Sequence, residues 1–173
     1  MKYFLAILVS LIFSTMQSQA QSTFTVMKDI SANNAKMLKG LVSKSDIANE
    51  PEFTWYAQNY KQYTRPDTAA VNAMSRNKED IYFIIFGGTW CSDTHFVLPR
   101  FFKLQEESGF PEERMTIYAS DRNKHTTGTI AQAFNALNVP TIIVMKDGKE
   151  LGRVVEQGKT GRWDRELADI INQ

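Results

Sequence analysis

The chemistry open to this sequence centres on one sulfur atom, because Cys91 is its only cysteine. It sits in the run Thr89-Trp90-Cys91-Ser92-Asp93-Thr94-His95. A thiolate attacks disulfides and sulfenic acids, and its reactivity depends on what stabilises the negative charge. Before Cys91, Ile81 to Phe86 is an unbroken apolar run, which predicts a short strand buried on both faces. Gly87 and Gly88 break that run. After it, Phe96, Leu98, Phe101, Phe102 and Leu104 fall on one broad helical face. The cysteine therefore belongs where a buried strand ends and a helix begins. Helix-start N–H groups carry about half a positive charge and favour a thiolate there. Asp93 also suits a helix start, yet its charge opposes the thiolate, so the sign of the sum stays open.

Metal chemistry is the competing use of these residues. Cys91 and His95 are spaced i, i+4, with Asp93 between them. Two candidate ligands do not close a zinc site, so His95 reads as a solvated helix residue and no metal is expected. His125 reads as structural or exposed. No cofactor is expected either.

The elements that must position the thiol follow in order. Met1 to Ala20 reads as a secretory signal peptide, with Lys2 at its start, an apolar core from Phe4 to Phe13, and Ser18-Gln19-Ala20 as a cleavage site. The protein is thus expected to be exported, periplasmic or secreted, with no stable membrane insertion after cleavage. The remainder is enough for one core. Twenty basic residues face 19 acidic ones, a balance that argues against capture of nucleic acid. A single thiol in an oxidising compartment cannot close an internal disulfide, which raises the weight of a reactive role.

Residues 21–79 read as an N-terminal helical extension. Gln21 to Val26 is a lead-in; Ser31 to Val42 is a weak amphipathic helix carrying Ala35, Met37, Leu38 and Leu41. A second helix carries Phe53, Tyr56, Tyr60 and Tyr63, and a third starts at Asp67 or Thr68. From residue 80 to 173 the order is β-α-β-α-β-β-α. Its strands are Ile81–Phe86, Met115–Ala119, Thr141–Met145 and Leu151–Val155, with Lys146-Asp147-Gly148-Lys149 as a hairpin turn. A helix is expected from Thr126 or Thr127 through Leu137, and a last one around Trp163 to Ile171. This predicts an α/β fold with a mixed four-stranded sheet and helices on both faces.

Several of these features together resemble the thioredoxin superfamily. They are Trp90-Cys91 at a strand-to-helix junction, Pro99 eight residues later, Val139-Pro140-Thr141 leading into a strand, and the Lys-Asp-Gly-Lys hairpin. The likeness covers roughly residues 80–173 and is nearest to exported thioredoxin-like proteins with a Trp-Cys-x-Asp motif. It implies a thioredoxin-like fold in which Cys91 is the nucleophile. Trp90, Val139 and Pro140 would line the substrate groove, Pro140 in the cis form, with Pro99 kinking the active-site helix. Two departures are coherent. Thr94 stands where the family's redox enzymes place a second cysteine, and Ile85 stands where many bury an acid.

The expected activity is that of a monothiol disulfide oxidoreductase. Cys91 attacks an oxidised client, the Thr94 hydroxyl hydrogen-bonds the sulfur, Ser92 and Asp93 modulate it, and an external thiol or reductase partner completes the cycle. Its partners are then client proteins with disulfides or oxidised thiols. The alternative is a non-catalytic thioredoxin-fold module that grips an extended peptide beside Pro140.

Overall fold

A computed structural model describes residues 23–173; the expected signal peptide lies outside them. Six strands form one sheet: β1 (Phe24–Asp29), β2 (Ala35–Val42), β3 (Ile81–Gly87), β4 (Met115–Ala119), β5 (Thr141–Lys146) and β6 (Lys149–Val155). Their order across the sheet is β1-β2-β4-β3-β5-β6. β3 and β4 run parallel, and every other neighbouring pair is antiparallel. The helices are α1 (Lys44–Ala48), α2 (Thr54–Gln62), α3 (Thr68–Asn77), α4 (Ser92–Ser108), α5 (Ile130–Ala133) and α6 (Trp163–Ile171).

The sheet has six strands rather than the four expected. The two extra strands come from residues 24–42, which form a hairpin in place of the expected lead-in and helix. The physical reason is visible in its turn. Asn33 and Asn34 both adopt the left-handed conformation, with φ of 51° and 59°, which a continuing helix cannot contain. Asp29 starts the turn by accepting hydrogen bonds from the Ser31 backbone and side chain. β2 then pairs with β4 through Gly40, Leu41 and Val42, burying Met37, Leu38 and Val42. Burial and ladder pairing override the helix propensity of Ala35, Lys36, Met37 and Leu38. The N-terminal segment is thus part of the same sheet as the strands that follow residue 80.

β3 is the central strand, paired with β4 on one side and β5 on the other. Its apolar run is buried on both faces, as Phe83, Ile85 and Phe86 show. One face carries α2, α3, α4 and α6, whose buried residues join Phe83 and Ile85 in the main core. The other face is covered by the loop from residue 120 to 140 and the short α5, around Phe86, Ile143 and Val139. The helix expected from Thr126 or Thr127 through Leu137 is shorter. Gly128 (φ 56°) and Asn135 (φ 49°) bound it on both sides. The β5–β6 hairpin turns on Asp147 and Gly148, with φ of 50° and 74°, the conformation that an Asp-Gly two-residue turn requires. Among the described residues, no helix is long and apolar enough to cross a membrane.

Candidate functional site

Cys91 is the N-cap residue of α4, and no side chain caps that helix end. The chain reaches it from β3 through a turn closed by the Cys91 N–H donating to the Gly88 carbonyl at 2.9 Å. Cys91 is partly exposed and lies at the free N–H groups that begin a 17-residue helix. The thiol's hydrogen-bond partner is the Val139 carbonyl at 3.2 Å. That bond is open only to the protonated thiol, which has a hydrogen to donate. The Val139–Pro140 peptide bond is cis, and both residues are buried. The Glu156 N–H donates to the Pro140 carbonyl at 2.7 Å, which ties this loop to the end of β6.

Thr94 lies beneath the thiol, 1% exposed. Its Oγ1 accepts from the Gly88 N–H at 3.1 Å. The expected Thr94-to-sulfur hydrogen bond is not present among the described residues: the thiol donates to the Val139 carbonyl, and Thr94 Oγ1 accepts from the Gly88 N–H. Ser92 is exposed. Asp93 is partly buried and accepts from Gln157 Nε2 at 2.7 Å. Ile85, at the position of the family's buried acid, is fully buried.

Trp90 is fixed by its indole N–H, which donates to the Ser120 carbonyl at 2.8 Å. Gly88 permits the indole to lie flat on the backbone, since a Cβ there would meet ring atoms at 2.8 Å. The Arg122 guanidinium sits 4.9 Å from the ring centroid and the Lys124 ammonium 5.5 Å from it. Arg122 in turn pairs with Asp29, its Nε donating to both carboxylate oxygens at 2.8 and 3.0 Å. Asp29 lies at the end of β1, 93 positions before Arg122. Asp121 shapes the same loop. Its Oδ1 accepts from the Asn123 and His125 N–H groups, while Lys39 donates to its other oxygen at 2.7 Å.

The N-terminal segment therefore braces the site. Thr89 Oγ1 accepts from the Leu38 N–H of β2 at 3.1 Å. His95 donates from Nε2 to the Thr89 carbonyl at 2.8 Å and stacks on Trp55 of α2 with 4.2 Å between centroids. His95 is thus a packed, hydrogen-bonded residue rather than a solvated one. A pocket lined by Asp29, Trp55, Trp90 and His95 opens between segment and site.

Sequence reading missed Asp29, Thr89 and Ser120, and read Asp121-Arg122 as a surface turn in preference to a substrate contact. Arg122 carried no pattern beyond a polar turn, and its partner is remote in sequence. The one usable signal was Asp29 next to Ile30-Ser31, a short polar cap whose carboxylate needs a cation once buried.

Two titrations at the site contribute to the response to acid, beside those of the Glu50, Glu106 and Asp121 carboxyls, which are also held below their ordinary values. Burial pushes the His95 imidazole below its ordinary 6.5, partly offset by its bond to Thr89. The Arg122 and Ser31 hydrogen bonds pull the Asp29 carboxyl from 3.8 to about 2. Both folded-state values lie below the unfolded ones, so the unfolded chain binds the extra proton and stability falls on acidification. The His95 contribution is complete above 6.5 and is lost as pH falls through its lowered value. The Asp29 contribution is complete above 3.8 and is lost as pH falls through about 2. Urea midpoints measured across this range are expected to fall in two stages. His95→Gln should flatten the upper stage and Asp29→Asn the lower; a profile that neither variant alters would exclude both groups.

A thiol at the end of a central strand, at the start of a long helix, opposite a proline-bearing loop in a mixed α/β sheet is compatible with a thioredoxin-like fold. Sequence similarity to thioredoxins, though weak, supports the thioredoxin superfamily. The thioredoxin of Mycobacterium tuberculosis is 28% identical over 102 residues, which cover 59% of this chain and 82% of that protein. The thioredoxin of Mycolicibacterium smegmatis is 28% identical over 86 residues, covering 50% of this chain and 74% of that one. No family model matches. Among solved structures, a Pseudomonas aeruginosa protein of unknown function superposes with a TM-score of 0.59 at 15% identity, covering 75% of this chain and 91% of that chain. An HIV epitope scaffold superposes with a TM-score of 0.53 at 15% identity, covering 76% and 98%. These two likenesses speak to the fold alone.

Proposed function

We propose that this protein is an exported, monothiol thioredoxin-like protein that carries out thiol–disulfide exchange through Cys91. The observation that carries the reading is the partly exposed Cys91 at the start of α4, its sulfur facing the Val139 carbonyl at 3.2 Å. The thiol gives its proton to solvent, and the thiolate attacks one sulfur of a client disulfide. The client S–S bond breaks, a Cys91–S bond forms, and the other client sulfur leaves as thiolate. An external thiol then attacks the mixed disulfide, takes the client sulfur and returns Cys91 to its reduced form.

Thr94 brings no sulfur, so the cycle has no internal resolving step. With Oγ1 accepting from Gly88, the Thr94 hydroxyl keeps its own proton, which can turn to the sulfur once it is ionised. Trp90, Val139 and Pro140 form the walls along which an extended client segment lies. Export rests on the basic, apolar and small-residue order of Lys2 to Ala20. The mature N-terminus recovered from an extracytoplasmic fraction tests it.

The central experiment measures iodoacetamide alkylation of Cys91 at neutral pH against free cysteine, together with adduct formation by hydroxyethyl disulfide. Alkylation about tenfold faster than free cysteine is expected for an activated thiolate, along with a single mass adduct that Cys91→Ser lacks. Slow alkylation without an adduct would overturn the exchange reading and leave the peptide-binding module in its place.

A further inference from the structure

The residues around Trp90 go further than a substrate wall. We infer that Arg122 and Lys124, laid over the Trp90 ring, select disulfide partners that carry an anionic group beside the reacting sulfur. This rests on the exchange reading above and names the substrate class of that same site.

Three observations carry it. First, the cations are held in place. Asp29 occupies the Nε and Nη2 edge of Arg122, while Nη1 has no partner among the described residues. Second, the charges are unequally displayed. Asp29 is 3% exposed, whereas the Arg122 side chain is 45% exposed. The carboxylate is buried, while much of the Arg122 side chain stays open to solvent beside the Trp90 ring. Lys124 has no ion-pair partner among the described residues, and its backbone N–H is tied back to the Asp121 carbonyl at 2.9 Å. Third, the opposite side of the thiol has the other sign. Asp93 accepts from Gln157, just past β6, while Arg122 and Lys124 follow β4. In the sheet order β4-β3-β5-β6 these groups flank the end of β3 from opposite sides. Asp93 has no cationic partner among the described residues. The groove is therefore polar from end to end, positive at Trp90 and negative at Asp93.

Electrostatic reach to the sulfur supports the arrangement. The Arg122 guanidinium is held above its ordinary value mainly by Asp29, with a smaller contribution from the charge of Cys91. A carboxylate on the incoming disulfide can therefore take the free Nη1 edge and the Lys124 ammonium while its sulfur meets Cys91. Arginine forms such charge-assisted bonds with defined geometry. In the exchange step the Cys91 thiolate bonds the nearer sulfur, the partner's S–S bond breaks, and the second half leaves as a thiolate.

The test uses three small disulfides of one reaction class: dithiodiglycolate (dianion), hydroxyethyl disulfide (neutral) and cystamine (dication). Mixed-disulfide formation on the protein is followed by mass spectrometry. Each rate is divided by that of the same disulfide with mercaptoethanol, to remove intrinsic reactivity. The dianion is expected to lead the dication by about tenfold at low salt, and the ratio should shrink toward one as salt rises. Lys124→Glu should reduce or invert the ratio. If that variant does not fold, the salt series on the unaltered protein decides between the same two outcomes. Equal corrected rates, insensitive to salt, would overturn the selection while leaving exchange at Cys91 standing. Absence of an adduct with all three would overturn the exchange reading itself, and this inference with it.

Discussion

Thr94→Cys is expected to convert a protein that holds its mixed disulfide into one that clears it unaided. Thr94 lies one helical turn from Cys91 on the buried side. Residues three apart on a helix place their Cα atoms about 5 Å from one another, within the Cα separation a disulfide spans. The introduced thiol replaces a hydroxyl that accepts only the Gly88 N–H. Losing that bond costs about 1 kcal/mol, too little to unfold the domain. An intramolecular thiol then competes with external thiol at a far higher effective concentration. The adduct with hydroxyethyl disulfide should be at least about a hundredfold shorter-lived than in the unaltered protein, and the product should lack two hydrogens by mass. Ile85 buries no acid beneath this thiol, so clearance should quicken as pH rises and the introduced group ionises. An adduct of unchanged lifetime would show that the two side chains do not face one another.

Gly40→Val is expected to be the most damaging change outside the site. Gly40 has φ of 126°, and a Cβ there would lie 2.7 Å from the Thr23 carbonyl oxygen and 2.8 Å from the Phe24 Cα. Both obstacles are backbone, so neither can swing aside. Gly40 is paired with Phe24 on one side and Ala119 on the other, so β1 must leave its ladder. Backbone strain and steric overlap together predict a loss of about 2–4 kcal/mol. For a domain of this size that is roughly 5–15 °C in Tm. Displacing β1 also moves Asp29, and with it the clamp on Arg122. Urea unfolding reads the stability, and the dianion-to-dication rate ratio reads the clamp. A variant within about 1 kcal/mol of the parent protein would show that β1 accommodates a side chain here.

The parts of the fold that were legible in sequence are those fixed by local signals. Ile81–Phe86 announces a buried strand through its unbroken apolar run. Asp147-Gly148 announces its hairpin as one of the few residue pairs that tolerate positive φ at both turn positions. The first hairpin was not legible, because Ala35 to Leu38 favour a helix locally and are made a strand by ladders with Phe24–Asp29 and with β4. Asn33-Asn34 was the local sign of that turn. The site divides along the same line. Cys91, its strand and its helix lie close together in sequence. The groups that surround it do not: Val139 faces the sulfur across 48 positions, and Asp29 reaches Arg122 across 93. Pattern reading places residues on elements; it does not say which remote charges meet over a tryptophan.

That tryptophan has an optical consequence. Of the three tryptophans in the chain, Trp163 is almost fully buried in α6, while Trp90 adjoins the thiol and donates its indole N–H to Ser120. Sulfur in disulfide form quenches excited indole on contact. A disulfide adduct at Cys91 is therefore expected to dim a chromophore next to it in the chain. Emission can follow occupancy of the thiol in real time, without a label.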